Sequence, residues 1–332
     1  MNLKSTVKKL FTMPLSVLDK YTSPLPWLGK GEAEKEPLLV IGGIARSGNH
    51  LLRGLLDGHP KLAVPPDEDY FIRTLTRHRM NQFKGWVTAK EEAPLFYRKM
   101  QKNDFFTRLN SGGGVNSDND EPLLDLEKYS GYVRENHQRF SFENPFRAHF
   151  GALRKSLLIN SNEPELLKVY FCVLNPLFND INNIGSSLAR YYDVKAVFLF
   201  RNPLAVYCSA KSRLYFDGGN IKVFCRAMNK YYRDVVSFER KNRGEVFYLS
   251  FESLINETVP LMQRLASFIN IPYHDILSRV TQNGKDIKSN SSFEGKEGID
   301  HQALYRYREK LTQEEITYIK DNCPQPSEIN YS

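Results

Sequence analysis

Leu38-Leu-Val-Ile-Gly-Gly-Ile-Ala-Arg-Ser-Gly-Asn-His-Leu-Leu-Arg53 is the stretch from which the fold is read. Leu38 to Ile41 form a short apolar run of the kind a buried strand shows. Gly42 and Gly43 then let the backbone turn without a Cβ penalty. From Gly48 the pattern becomes helical, with Leu51, Leu52, Leu55 and Leu56 on one face, and Gly58-His59-Pro60 closes the helix. Strand, glycine turn and helix in that order aim several backbone N–H groups at an anion, with the helix dipole behind them.

A nucleotide phosphate loop is the first pattern to try. G-x-x-x-x-G-K-[ST] fits from Gly43 to Gly48, but Asn49 and His50 stand where the lysine and the hydroxyl residue belong. The groups that grip terminal phosphates and hold magnesium are both missing. What remains is an anion cradle with Arg46 and Ser47 at its rim, suited to a phosphate-bearing ligand that needs no metal.

The rest of the chain extends the same architecture. Lys61 to Val64, Leu167 to Leu174, Val194 to Phe200 and Glu245 to Ser250 read as further strands. Helices are expected over Ile184 to Tyr192, from Pro203 onward, over Val259 to Ile269, and as a pair around Leu311-Thr312. The alternation predicts an α/β fold of three layers, α/β/α, around a central parallel sheet. Arg201 falls at the C-terminal end of a strand, where open α/β sheets bind ligands.

Arg46-Ser-Gly-Asn-His-Leu-Leu-Arg-Gly-Leu-Leu-Asp-Gly-His-Pro60 resembles the 5′-phosphosulfate loop of the sulfotransferase family. Lys195-Ala-Val-Phe-Leu-Phe-Arg-Asn-Pro-Leu-Ala-Val-Tyr-Cys-Ser209 resembles the 3′-phosphate motif of the same family, a strand ending in Arg-x-Pro with a serine six residues past the proline. Weaker echoes follow in Asn175-Pro176, Phe251-Glu-Ser-Leu254 and Asn290-Ser-Ser-Phe-Glu-Gly-Lys296, so the likeness covers roughly residues 37 to 322. It implies a P-loop-like sulfotransferase fold that uses 3′-phosphoadenosine 5′-phosphosulfate without a metal. The reaction would pass a sulfuryl group to a hydroxyl or amine of an acceptor such as a carbohydrate or small molecule.

The resemblance also assigns residues. Arg46 and the loop N–H groups of Ser47, Gly48, Asn49, His50 and Leu51 would meet the 5′-phosphosulfate, and Arg201 with Ser209 the 3′-phosphate. Lys296 would close over the cofactor. Counting from His59-Pro60 puts Asp67, with Glu68 beside it, where several branches of the family carry a catalytic carboxylate. His50 departs from the usual threonine and could donate to the sulfuryl oxygens or serve as base. The lysine of a family Lys-x-Pro arrangement is absent, Leu174 standing in its place. Two other readings stay open on the sequence, an ATP-dependent kinase and a non-catalytic polyanion-binding module on the same fold.

Composition narrows the surroundings. The chain has 332 residues, a net charge of +8, 41% hydrophobic and 25% charged residues, an ordinary globular balance that suits a polyanionic cofactor. No zinc, helix-turn-helix or RNA-binding signature accompanies the charge, so nucleic acid is not the expected partner. Cys172, Cys208, Cys225 and Cys323 share no ligand-like spacing and read as reduced, buried thiols. No apolar run approaches the ~20 residues that span a bilayer. A cytoplasmic enzyme is the expectation. Residues 1–36 read as an N-terminal arm and 37–332 as one domain with a probable acceptor-binding insert at about 72–165, basic and aromatic, with a polar loop from Ser111 to Asp120. That insert would suit an anionic or aromatic acceptor.

Overall fold

The computed structural model describes residues 35–69, 145–159, 166–174, 191–242, 244–287 and 299–323, with positions 124, 125, 127–129, 131, 132, 135, 181, 188 and 189 between them. Nearly all of the expected arm, Lys296 and the 72–123 part of the expected insert lie outside the described residues.

In chain order the elements are β1 (Glu36–Ile44), α1 (Asn49–Leu56), β2 (Leu62–Ala63), α2 (Pro145–Ser156), β3 (Leu167–Leu174), β4 (Tyr192–Phe200), α3 (Pro203–Lys211), α4 (Ile221–Lys241), β5 (Val246–Ser250), α5 (Phe251–Asn256), α6 (Thr258–Phe268), the two-residue strands β6 (Thr281–Gln282) and β7 (Lys285–Asp286), and α7 (Gln313–Asn322). The first five strands form one sheet in the order β2-β3-β1-β4-β5. All of its pairings are parallel. β6 and β7 make a separate antiparallel pair.

β1 lies at the centre because both of its faces are apolar. Side chains alternate across a strand, so Leu38, Val40 and Ile44 enter the layer that holds Phe150 of α2, Val206 of α3 and Phe224 and Tyr231 of α4. Leu39 and Ile41 enter the opposite layer with Leu52, Leu55 and Leu56 of α1 and Leu261 and Leu265 of α6. Full burial of each such leucine is worth about 1.5–3 kcal/mol. The expected three-layer α/β architecture is therefore what the chain adopts. Boundaries differ: β1 runs on through Gly42 and Gly43, expected to turn, as far as Ile44, and Tyr192, expected to end a helix, opens β4 opposite Glu36 of β1, its side chain buried against Phe150.

Segment 145–157, inside the stretch expected to hold an acceptor insert, packs into the core of the domain. His149, Phe150, Ala152 and Leu153 of α2 are buried, and Phe150 meets Tyr170 edge-on across the sheet face. At the far end of α1, Gly58 takes φ 78° and His59 turns inward. The Lys61 N–H donates to His59 Nδ1 at 3.1 Å, which leaves Nε2 to donate to Pro272 O at 3.0 Å. Burial holds this imidazole below its ordinary pKa, in keeping with a neutral ring that ties α1 to the segment after α6.

Candidate active site

The chain after β1 goes to β2 on one side of the sheet, while β4 lies on the other, so β1 and β4 flank the point where the strand order reverses. A crevice at the C-terminal ends of such strands is where open α/β sheets bind ligands. Here it is a cleft enclosing about 1140 Å³ with its open mouth, lined among others by Arg46, Gly48, His50, Arg201, Ser209 and Phe251.

Loop 45–48 builds the floor. Arg46 takes φ 73° and Gly48 φ 104°, the left-handed region, which swings the chain from β1 into α1. Ser47 is fully buried, and both its N–H (3.1 Å) and its hydroxyl (2.7 Å) donate to Ile44 O. Both bonds close the loop on the end of β1. Asn49 turns back likewise, its Nδ2 donating to Gly43 O and Ile44 O at 3.1 Å each. Gly48 caps α1 without any side-chain hydrogen bond. The N–H groups of the first helical turn, Asn49, His50 and Leu51, have no partner within the helix by its geometry and face the cleft end of the loop.

Glycine is obligatory at position 48. A Cβ there would lie 2.3 Å from the Phe251 ring, on top of the positive φ. Gly48→Ala is expected to cost about 2–5 kcal/mol, backbone strain plus overpacking, read as a lowered midpoint in thermal unfolding. Adding Phe251→Ala should recover only the steric part.

The two motifs meet directly. Arg46 Nε donates to Ser209 Oγ of α3 at 2.9 Å, across 163 residues of sequence. Arg201, at the end of β4, donates through Nη1 to Arg46 O at 2.9 Å and through Nη2 to Ala303 O at 2.6 Å. Its guanidinium lies 4.0 Å over the Phe251 ring, a cation–π contact. Arg201 Nε is buried without a partner. Burial, with the like charges of Arg46 and Arg306 nearby, lowers the Arg201 pKa to about 10, partly offset by Glu252. Arg201 is thus a desolvated guanidinium beside a second arginine, with one buried donor unpaired.

Further along the wall, Arg306 pairs with Asp300 at 2.5 Å. Tyr215 reaches the cleft between residues of positive φ, Leu214 before it and Phe216 to Gly219 after it, with Phe216 and Asp217 at 56° and 59°. The sequence gives no signal for either feature. Asp300 alone is legible, as an N-cap whose Oδ1 accepts from Gln302 N.

At the opposite end, His50 Nε2 stands 3.4 Å from Glu68 Oε1, and His50 Nδ1 3.9 Å from Asp67 Oδ1. The ring packs edge-on to Phe171 at 5.3 Å. The three residues bring one donor atom each within 4.8 Å, a grouping that could hold a cation. The two carboxylates differ in place. Glu68 lines the cleft, whereas Asp67 is buried at 2% exposure and is not part of its wall. Asp67 instead feels the charge of the fully buried Arg53, whose Nη2 donates to Gln282 Oε1 at 2.8 Å and Thr281 O at 3.3 Å. Gln282 in turn donates to Pro66 O at 3.1 Å, so the β6 strand fixes the chain just before the carboxylates.

The model of the family described as "Sulfotransferase family" matches residues 37–275 of the 332, well over half of the chain. The chain belongs to the sulfotransferase family. Among solved structures, the sulfotransferase domain from the curacin biosynthetic pathway is similar with a TM-score of 0.52 at 15% identity, over 89% of this chain and 100% of that one. The sulfotransferase domain of the Synechococcus olefin synthase aligns at TM-score 0.49, 16% identity, 88% and 97% coverage. Retinol dehydratase in complex with androsterone and inactive cofactor PAP aligns at 0.39, 15% identity, 89% and 84% coverage. The first of these shows the shared fold, that of a P-loop-like sulfotransferase. No curated protein sequence matches the chain. Family and fold together make this an enzyme of the sulfotransferase type, and no helix among the described residues is long and apolar enough to cross a membrane.

Proposed function

We propose that this sulfotransferase takes its sulfuryl group from 3′-phosphoadenosine 5′-phosphosulfate and passes it to a hydroxyl or amine of its acceptor. The observation that carries the reading is the 2.9 Å contact of Arg46 with Ser209, with Arg201 braced on the Arg46 carbonyl. Two motifs from distant parts of the chain thereby form one cationic floor, as a ligand with anionic groups at both ends of an adenosine requires. The uncapped N-terminus of α1 and the unpartnered Arg201 Nε fit that ligand. Arg46 and the first-turn N–H groups of α1 would hold its 5′ end, Arg201 and Ser209 its 3′-phosphate.

When bound, the donor supplies a sulfuryl group on a phosphosulfate linkage whose cleavage leaves adenosine 3′,5′-bisphosphate. Glu68 takes the acceptor's proton at the cleft wall, and His50 beside it orients that carboxylate. Arg46 and the α1 dipole stabilise the charge that builds on the leaving phosphate. No step asks for a metal. The described cysteines are all buried free thiols, which suits a cytoplasmic enzyme. The acceptor class stays at the level of a hydroxyl- or amine-bearing carbohydrate or small molecule.

Calorimetry tests the donor. Adenosine 3′,5′-bisphosphate at 100 times its Kd should add about 2.7 kcal/mol to stability, while ATP with magnesium adds little because no lysine meets its terminal phosphates. Equal stabilisation by both would favour a kinase. Binding without transfer of labelled sulfate to any of a panel of alcohols, phenols and amines would favour a non-catalytic module.

A further inference from the structure

Behind the cleft lies a second, enclosed polar cluster. Asp69, His149 and Tyr129 are each 0% exposed. His149 Nε2 lies 2.7 Å from Asp69 Oδ2, and Tyr129 OH 2.9 Å from His149 Nδ1. None of the three lines the cleft. Such a chain is costly to bury, and a set of apolar side chains of similar volume would commonly serve stability as well or better. Its presence therefore asks for a reason in geometry.

The reason is its place in the chain. Asp69 follows Glu68 directly, and its N–H donates to Phe171 O of β3 at 2.7 Å. On the other side of Glu68, Pro66 O accepts from Gln282 at 3.1 Å. Glu68 thus sits on a short span fixed at both ends, by the sheet and by two buried polar networks. The Arg53–Gln282 network holds the entry, the His149 network the exit. His149 comes from α2, and Tyr129 is tied to the end of α2 through Asp125, whose N–H donates to Ser156 O at 2.7 Å and whose carbonyl accepts from Tyr129 N at 3.1 Å. The relay therefore rests on one rigid unit packed on the sheet.

We propose that Asp69, His149 and Tyr129 are positioning residues that set the direction of the Glu68 carboxylate toward His50 and the acceptor. This rests on the reading of Glu68 as the proton acceptor. Because a carboxylate can only accept, Nε2 of His149 carries a proton toward Asp69, and the Tyr129 hydroxyl fixes the ring from its other nitrogen. Rotation of Asp69 about its backbone is then blocked, and with it a drift of the adjacent Glu68.

The test needs no acceptor. The full chain is labelled with nitrogen-15 histidine, and the His50 ring signals, which sense Glu68 at 3.4 Å, are followed in His149→Gln, His149→Phe and Tyr129→Phe. Glu68→Gln marks the position of a lost contact. His149→Phe is expected to move the His50 signals most of the way toward that mark, Tyr129→Phe part of the way, and His149→Gln, which keeps an amide donor for Asp69, to restore them. If His149→Phe does not fold, Tyr129→Phe and His149→Gln still decide. Adenosine 3′,5′-bisphosphate affinity, measured on the same samples, should stay within about two-fold, as for separate sites. His50 signals unchanged in every folded variant would overturn the relay. Failure of the unsubstituted protein to bind the bisphosphate would overturn the donor reading instead.

Discussion

Glu68→Gln lowers kcat by about 10²–10⁴-fold while the affinity for adenosine 3′,5′-bisphosphate stays unchanged, the range expected when a positioned general base is lost. The amide keeps the volume and one hydrogen-bonding oxygen but cannot take a proton. The measurement is single-turnover transfer of labelled sulfuryl from saturating donor, so that acceptor binding and chemistry separate. Asp67→Asn should behave otherwise. Asp67 is buried beside Arg53, off the cleft wall, so its neutralisation removes a countercharge and shows first as lost stability. His50→Ala should lie between the two, lowering kcat by less than Glu68→Gln, since the imidazole at 3.4 Å orients the carboxylate rather than replaces it. The reverse order, with His50→Ala the most damaging and Glu68→Gln mild, would move the base to the imidazole.

This distinction between neighbouring carboxylates marks where the sequence stopped being informative. Counting from His59-Pro60 lands on Asp67, with Glu68 beside it, and no local pattern tells which of the two faces the cleft. What separates them is Arg53, and what buries Arg53 is the strand Thr281–Gln282, more than 200 residues further on. Periodicity read Arg53 as one more residue of α1, because nothing local announces a guanidinium bonded into a distant strand. His149 was invisible for the same reason, its partner Asp69 lying 80 residues away. Local signals, by contrast, located most of the elements. β3 runs from Leu167 to Leu174 as expected, since continuous β-branched and aromatic content bounded by polar residues needs no tertiary information. Gly48 marked the loop, but Gly42 and Gly43, expected to turn the chain, lie within β1 paired with Cys172 and Val173, where their role is close approach: a Cβ at Gly43 would lie 2.4 Å from Ser47 Oγ. The loop's inner wiring escaped, since whether Ser47 and Asn49 face outward or back to Ile44 depends on a turn geometry that residue types leave open. Tyr192 went to the wrong element because its buried partner Phe150 belongs to a helix outside the recognised motifs.

Arg201→Lys weakens binding of adenosine 3′,5′-bisphosphate by about 100-fold, near 2.7 kcal/mol, although the charge is kept. Arg201 uses Nη1 and Nη2 on the carbonyls of Arg46 and Ala303 and lies over the Phe251 ring, with Nε buried and unpartnered. A lysine cannot stack, brace two carbonyls and donate to a phosphate together, because its ammonium is a single point with no planar fork. Adenosine 5′-monophosphate supplies the control, since it lacks the group Arg201 is assigned to. In the unsubstituted enzyme calorimetry should show the bisphosphate bound far more tightly than the monophosphate, and in Arg201→Ala the two should converge. Affinity should be flat from pH 7 to 9 and fall above about 10, where burial has brought the guanidinium pKa and where loss of its proton removes the positive charge. A bound 3′-phosphate stabilises the charged form and raises its pKa, so the fall starts at the free protein's pKa and continues up to that of the complex. Equal losses for both nucleotides would mean that Arg201 acts only through the Arg46 carbonyl, as a brace for the loop, and the 3′-phosphate would then have to be sought nearer Arg306.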